Sequence, residues 1–169
     1  GKHLQKGDFE FIKSDLEKRP IQGLDHTASE HQIIAVLSKY GIRDKGESVE
    51  VEIWGTGKPM REFLYSEDMA DACVHIMERV NFEDTYDNNL KEVRNTHINI
   101  GTGKEISIKA LAEMIKQVVG FKGELYFNTS KSDGTMRKLT DVSRLLKYQW
   151  NEKTELNIGV KNLYRLLNE

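Results

Sequence analysis

The chain of 169 residues carries 25 Lys and Arg against 27 Asp and Glu, the length of one domain or of one domain with an appendage, and enough to bury a core. Its formal net charge of -2 leaves no electrostatic footprint for nucleic acid, and a single cysteine, Cys73, excludes an internal disulfide and a cysteine-based zinc site. No apolar run approaches the roughly 20 residues that span a bilayer and no signal-peptide pattern opens the chain, so no membrane partner and a cytoplasmic address are expected. The sequence opens on Gly1, and its first dozen residues read as the middle of a longer protein.

Residues 1–27 are mixed and weakly periodic, and Pro20 ends any helix there. Thr27 and Glu30 have the spacing of a capping box ahead of Ile33, Ile34 and Leu37, with Gly41 beyond them, which predicts a short amphipathic helix. Val49, Val51 and Ile53 then alternate with Glu50 and Glu52, the period of a half-buried strand closed by Trp54. Gly55 and Gly57 allow a tight turn and Pro59 stiffens the return towards Arg61. Ser66 is expected to cap a helix with Glu67 and Asp68 in its first turn. Met69, Ala72, Cys73, Ile76 and Met77 fall at helical spacing on it, with Cys73 in the core.

Residues 81–95 are polar and asparagine-rich, an exposed loop. His97–Ile100 reads as a short strand, Gly101 and Gly103 as a turn, and Ser107 as the start of a helix with Ile108, Leu111, Ala112, Ile115, Val118 and Val119 on one face. Ile106 and Leu111 have the spacing of a hydrophobic staple, and Gly120 suits a left-handed C-terminal position. Glu124–Phe127 is a further strand; Asp141 is placed to cap a short helix through Leu146, and Asn157 a final one displaying Val160, Leu163, Tyr164 and Leu167. Helices alternating with few, short strands predict a small mixed α/β domain without a large sheet.

Chemistry-bearing patterns are sparse. Neither Gly55–Gly57 nor Gly101–Gly103 extends to a dinucleotide or Walker A fingerprint. No tyrosine has a lysine four residues on, no nucleophile elbow occurs, and the histidines at 3, 26, 31, 75 and 97 form no i, i+4 pair. What remains is binding chemistry. Arg61 follows one glycine turn and offers a planar fork of donors for a phosphate or carboxylate, while Lys131, Arg137 and Lys138 surround Asp133 and Gly134. The plain alternatives are a surface ion pair from Arg61 to Glu62, Glu67 or Asp68, and a solvated charge run around Asp133.

The stretches WGTGKPMREFL with SEDMADA, HINIGTGKEISIKALAEMI, and SKSDGTMRKLTDVSRL together resemble the GDP-L-fucose synthases, NADP-dependent 3,5-epimerase/4-reductases among the extended short-chain dehydrogenases. The resemblance covers residues 49 to about 167. NIGTG followed by a helix marks the superfamily alone; DGTMRK combined with WGTGKPMREF is narrower. Met136 stands where that family usually has proline, and residues 1–48 form a longer lead-in than most members have.

The resemblance implies a nucleotide-sugar-binding domain at 49–169 after a helical lead-in or insertion at 1–48, without the Rossmann domain that binds NADP and carries hydride transfer. No catalytic, cofactor or metal residue is then expected on this chain. By position within the motifs, Trp54, Arg61, Asp133 and Lys138 correspond to substrate contacts, with Arg61 and Lys138 on the diphosphate. The implied partners are a GDP-sugar, an upstream NADP-binding domain of the same polypeptide and a second copy in a homodimer. Another nucleotide-sugar epimerase or dehydratase of the superfamily, and a stand-alone nucleotide-sugar-binding module, are the competing readings.

Overall fold

The computed structural model describes residues 1–87, 89 and 91–168. In chain order they form α1 (Lys2–Gln5), α2 (Phe9–Lys18), α3 (Glu30–Lys39), β1 (Ile42–Asp44), β2 (Val49–Trp54), β3 (Met60–Arg61), α4 (Ser66–Arg79), a 3₁₀ turn at Phe82–Thr85, β4 (Ile106–Ser107), α5 (Ile108–Val119), β5 (Glu124–Asn128), β6 (Arg137–Lys138), α6 (Ser143–Lys147) and α7 (Leu156–Leu166). The fold is small and mixed α/β, as the alternation of patterns predicts. The strands form two three-stranded sheets, β1-β2-β5 and β4-β3-β6. Two compact units share the chain, each discontinuous in sequence: Gly1–Lys58 with Lys109–Gly134, and Pro59–Ile108 with Thr135–Glu169.

In the first unit, β2 runs antiparallel to β1 and parallel to β5. Leu4, Val49 and Phe121 are buried together, and Leu16, Ala28 and Ile33 form a neighbouring cluster; Phe9, Ile12 and Leu37 pack against both. Residues 1–48 therefore share a core with β2. Within them α2 is a helix that weak periodicity did not reveal, opened by Asp8 accepting the Phe11 N–H. The α3 capping box lies two residues later than expected: Ser29 and Gln32 cap each other. Thr27 is unavailable because Asp25 accepts both its N–H at 2.8 Å and its hydroxyl at 2.6 Å, a local turn that competes with capping. At the other end of the unit α5 closes as expected. Gly120 has φ 68°, its N–H reaches Gln117, and the Phe121 N–H reaches Lys116, the paired bonds of a Schellman end.

In the second unit β3 lies between β4, antiparallel, and β6, parallel. Ala72, Leu145 and Trp150 form its buried core, flanked by Leu64, Ile76, Ile98, Ile100 and Val142. Several expectations change here. Cys73 is exposed, because the face of α4 centred on Ala72 and Ile76 turns inward and Cys73 falls just outside it. His97–Ile100 is not a strand: it contributes Ile98 and Ile100 to the core without joining a ladder. Ser66 is the first residue of α4 after an uncapped Tyr65, and Asn157 lies inside α7 after an uncapped Glu155. Asp141 does accept the Ser143 N–H, at 2.9 Å, as α6 begins. The polar stretch 81–95 holds the 3₁₀ turn, and its positions 88 and 90 lie outside the described residues.

Buried Asp68 ties α4 to the segment before α7, accepting the N–H groups of Lys153 at 3.0 Å and Thr154 at 2.8 Å. One turn on, Asp71 accepts the Trp150 indole N–H at 2.8 Å and the Lys153 ammonium at 2.6 Å. Neither carboxylate is among the partners of Arg61.

Candidate functional site

Trp54 ends β2 opposite Asn128 of β5 and is 69% exposed. Lys131 Nζ lies 5.4 Å from the centre of its ring, a cation–π distance. Both border an open concavity of about 530 Å³ that also holds Tyr40, Arg43, Glu52 and Asn128. Arg43 is taken up by Glu50 at 3.0 Å and by Glu52. The Asn128 amide, together with Arg43, holds the Glu52 carboxyl below its ordinary range.

Asp133 belongs to the same unit and faces the turn after Trp54. Its Oδ1 accepts the Thr56 N–H at 2.6 Å and its Oδ2 the Thr56 hydroxyl at 2.7 Å. Gly55, at φ 83°, passes so close that an added Cβ would meet Asp133 Oδ1 at 2.2 Å. Each oxygen of Asp133 thus already serves the glycine turn. Gly57 is constrained as well: at φ 73° its Cβ would meet the Phe127 ring at 2.5 Å.

In the second unit Arg61 and Lys138 are directly opposed in the parallel β3–β6 ladder, one register step from the Met60–Arg137 pair. Facing residues of neighbouring strands project to the same side of a sheet. Arg61 Nη1 donates to its neighbouring Met60 carbonyl at 2.6 Å. Among the described residues neither Arg61 nor Lys138 has a carboxylate within ion-pair distance. The adjacent Arg137 differs, its guanidinium meeting Glu105 at 2.9 Å. Of the charge run around Asp133, then, Arg137 is neutralised, Lys131 stands over Trp54, and Lys138 faces Arg61.

Glu62, which the sequence offers only as an ion-pair partner for Arg61, has a different role. Its Oε1 accepts the N–H groups of Thr102 at 2.7 Å and Gly103 at 2.6 Å, and its Oε2 that of Thr140 at 3.1 Å. Partial burial works against its charge, yet hydrogen bonding from Thr140, Gly103 and Thr102 prevails and holds the carboxyl below its ordinary range. Its partners lie 40 to 78 residues away, so no local spacing marked it.

Both glycine turns are therefore filled from within the chain, Gly55–Gly57 by Asp133 and Gly101–Gly103 by Glu62. Backbone N–H groups that already hold a carboxylate are not free to cradle a pyrophosphate. Two of the histidines are engaged within the chain: His75 bonds the Tyr148 carbonyl at 2.7 Å, and His3 stacks on Phe11 and meets Asp8. No group of three metal-ligating side chains occurs among the described residues, and no helix among them is long and apolar enough to cross a membrane.

Residues 23–101 match the model of the NAD dependent epimerase/dehydratase family. A GDP-L-fucose synthase from Sinorhizobium fredii is 42% identical over 139 residues, covering 80% of this chain and 40% of that protein. Over residues 23–101 the chain is similar to the NAD dependent epimerase/dehydratase family. Among solved structures, a GDP-6-OMe-4-keto-L-xylo-heptose reductase from C. jejuni superposes with a TM-score of 0.84 at 40% identity, over 99% of this chain and 44% of that one. A GDP-L-fucose synthetase from Naegleria fowleri bound to NADP gives 0.57 at 27% identity, over 70% of this chain and 35% of that one. The chain spans about 40% of the length of the curated family relatives it matches.

Proposed function

We propose that this chain forms the GDP-sugar-binding portion of an NADP-dependent GDP-L-fucose synthase, the enzyme that epimerises and reduces GDP-4-keto-6-deoxy-D-mannose to GDP-L-fucose. One observation carries the reading: Arg61 and Lys138 stand opposite each other, with no carboxylate among the described residues at ion-pair distance from either. Like charges directly opposed in a sheet repel, and a diphosphate reverses that cost by accepting from both. Arg61 supplies a planar two-pronged contact and Lys138 a point charge. In the first unit, the exposed ring of Trp54 is a further proposed substrate contact, and Asp133 acts beside it by fixing the turn at Thr56.

NADP belongs, on this reading, to an upstream domain of the same polypeptide. Support comes from the two glycine turns, whose N–H groups are already committed to Glu62 and Asp133. The groups of hydride transfer and epimerisation are assigned on this reading to the same upstream domain, supported by the lack of a tyrosine with a lysine four residues on in this sequence, and Cys73 is given no catalytic part.

Titration calorimetry with GDP and NADPH tests the assignment. GDP is expected to bind with a Kd of roughly 0.1–1 mM, corresponding to about -5.5 to -4 kcal/mol, and NADPH far more weakly. Arg61→Ala and Lys138→Ala should each weaken GDP binding, with Arg61→Lys recovering part of the loss. Tighter binding of NADPH than of GDP, or normal GDP binding by both alanine variants, rejects the reading.

A second reading has its own support. The heptose reductase covers 99% of this chain and the Naegleria fucose synthetase 70%, which favours a reductase of another GDP-sugar. Both readings share the diphosphate contacts and differ at the sugar. Turnover of a 4-keto-heptose against a 4-keto-6-deoxyhexose, each linked to GDP, by this chain joined to an NADP-binding domain separates them.

A further inference from the structure

We propose that Glu62 is a positioning residue for diphosphate recognition: by holding the Thr102–Gly103 turn with one oxygen and Thr140 with the other, it keeps Arg61 aligned with Lys138. The proposal rests on the reading of Arg61 and Lys138 as the diphosphate cations. Strand β3 contributes two residues to each of its ladders, Met60 and Arg61, and ladders this short are marginal by themselves. The opposed cations add repulsion between β3 and β6. Something must hold the three strands together at this end of the sheet.

Glu62 is the residue immediately after Arg61, and its carboxylate spans both neighbours. Oε1 takes the N–H groups of Thr102 and Gly103, in the turn that leads to β4, and lies 3.3 Å from the Thr102 hydroxyl. Oε2 takes the Thr140 N–H, two residues beyond Lys138 on the chain leaving β6. A carboxylate has two acceptor oxygens and so serves both sides at once, whereas an amide offers one acceptor and turns a donor towards the other side. The turn is shaped for this contact, since a Cβ on Gly101 would meet Glu62 Oε1 at 2.6 Å. Charge-assisted bonds to backbone N–H groups are the strong kind, and here they close the sheet one residue past the binding cation.

The experiment follows GDP binding by chemical-shift titration of the full chain, with thermal unfolding of every variant recorded alongside. Glu62→Gln should weaken GDP binding by about tenfold, while Glu62→Asp, whose carboxylate is one methylene short, should weaken it less. Gly101→Ala keeps the carboxylate and displaces it, and should lower affinity in the same direction even if Glu62→Gln does not fold. In an Arg61→Ala background, Glu62→Gln should cost less than about threefold more, because residues acting through one another are not additive. Normal GDP binding by Gly101→Ala or by folded Glu62→Gln, with Arg61→Ala impaired, overturns the positioning role alone. Full additivity with Arg61→Ala overturns it too, leaving Glu62 a general stabiliser. Normal binding by Arg61→Ala and Lys138→Ala removes the underlying diphosphate reading as well.

Discussion

Asp133 holds Thr56 by two separate atoms, accepting its backbone N–H at 2.6 Å and its hydroxyl at 2.7 Å across 77 positions of sequence. The pair fixes the glycine turn after β2. Asp133→Ala removes both acceptors and should destabilise the chain by about 1.5–3 kcal/mol, the range for hydrogen bonds to a charged group. Chemical denaturation measures this. A variant of unchanged stability that no longer binds GDP would instead make Asp133 a direct ligand contact.

The two tryptophans should report separately. Trp54 is 69% exposed beneath Lys131, and Trp150 is 3% exposed in the core with its indole N–H on Asp71. Acrylamide should quench Trp54 and spare Trp150, and Trp54→Phe should remove the quenchable fraction. GDP-fucose should change the emission of the parent and leave that of Trp54→Phe unaltered. A ligand response that persists in the variant would detach Trp54 from the site.

Acid should act through Glu62. Its carboxyl titrates below the ordinary value of 4.5 in the folded chain, so its stabilisation is fully present above that pH and is lost as pH falls through the lowered folded value. The stability difference between the parent and Glu62→Gln should therefore be widest above pH 4.5 and close on further acidification, as the protonated acid comes to resemble the amide. A difference that does not narrow there would mean that the charge of Glu62 contributes nothing to its contacts.

Cys73 is exposed on α4, so a maleimide should label it in the folded chain and leave the far-ultraviolet circular dichroism unchanged. Labelling that requires denaturant would return the thiol to the core. The Ala72 methyl, fully buried beside Leu145 and Trp150, is the contrasting position: Ala72→Leu should overpack the cluster and cost about 1–3 kcal/mol in thermal or denaturant unfolding.

Much of the local structure was legible in the residues. The alternation from Val49 to Ile53 is that of β2, the apolar face and Gly120 delimit α5, and Gly55 and Gly57 mark a turn whose positive φ angles they supply. These features depend on interactions within a few positions, where chain geometry leaves little choice. Caps were less secure because neighbouring hydroxyls and carboxylates compete for the same N–H groups. Asp25 captures Thr27 and hands the α3 cap to Ser29.

What only the tertiary structure decided is where distant groups meet. Helical period places Ala72 and Cys73 on adjacent ridges but does not say which ridge faces Leu145 and Trp150. The motif containing Arg61 and Glu62 reads as one charged pair, yet Arg61 faces Lys138 while Glu62 closes on Thr102, Gly103 and Thr140. Sequence fixes which side chains can donate and accept and how nearby backbone bends. The choice among many acceptable long-range partners falls to packing, which brings one N–H rather than another within 3 Å of a carboxylate.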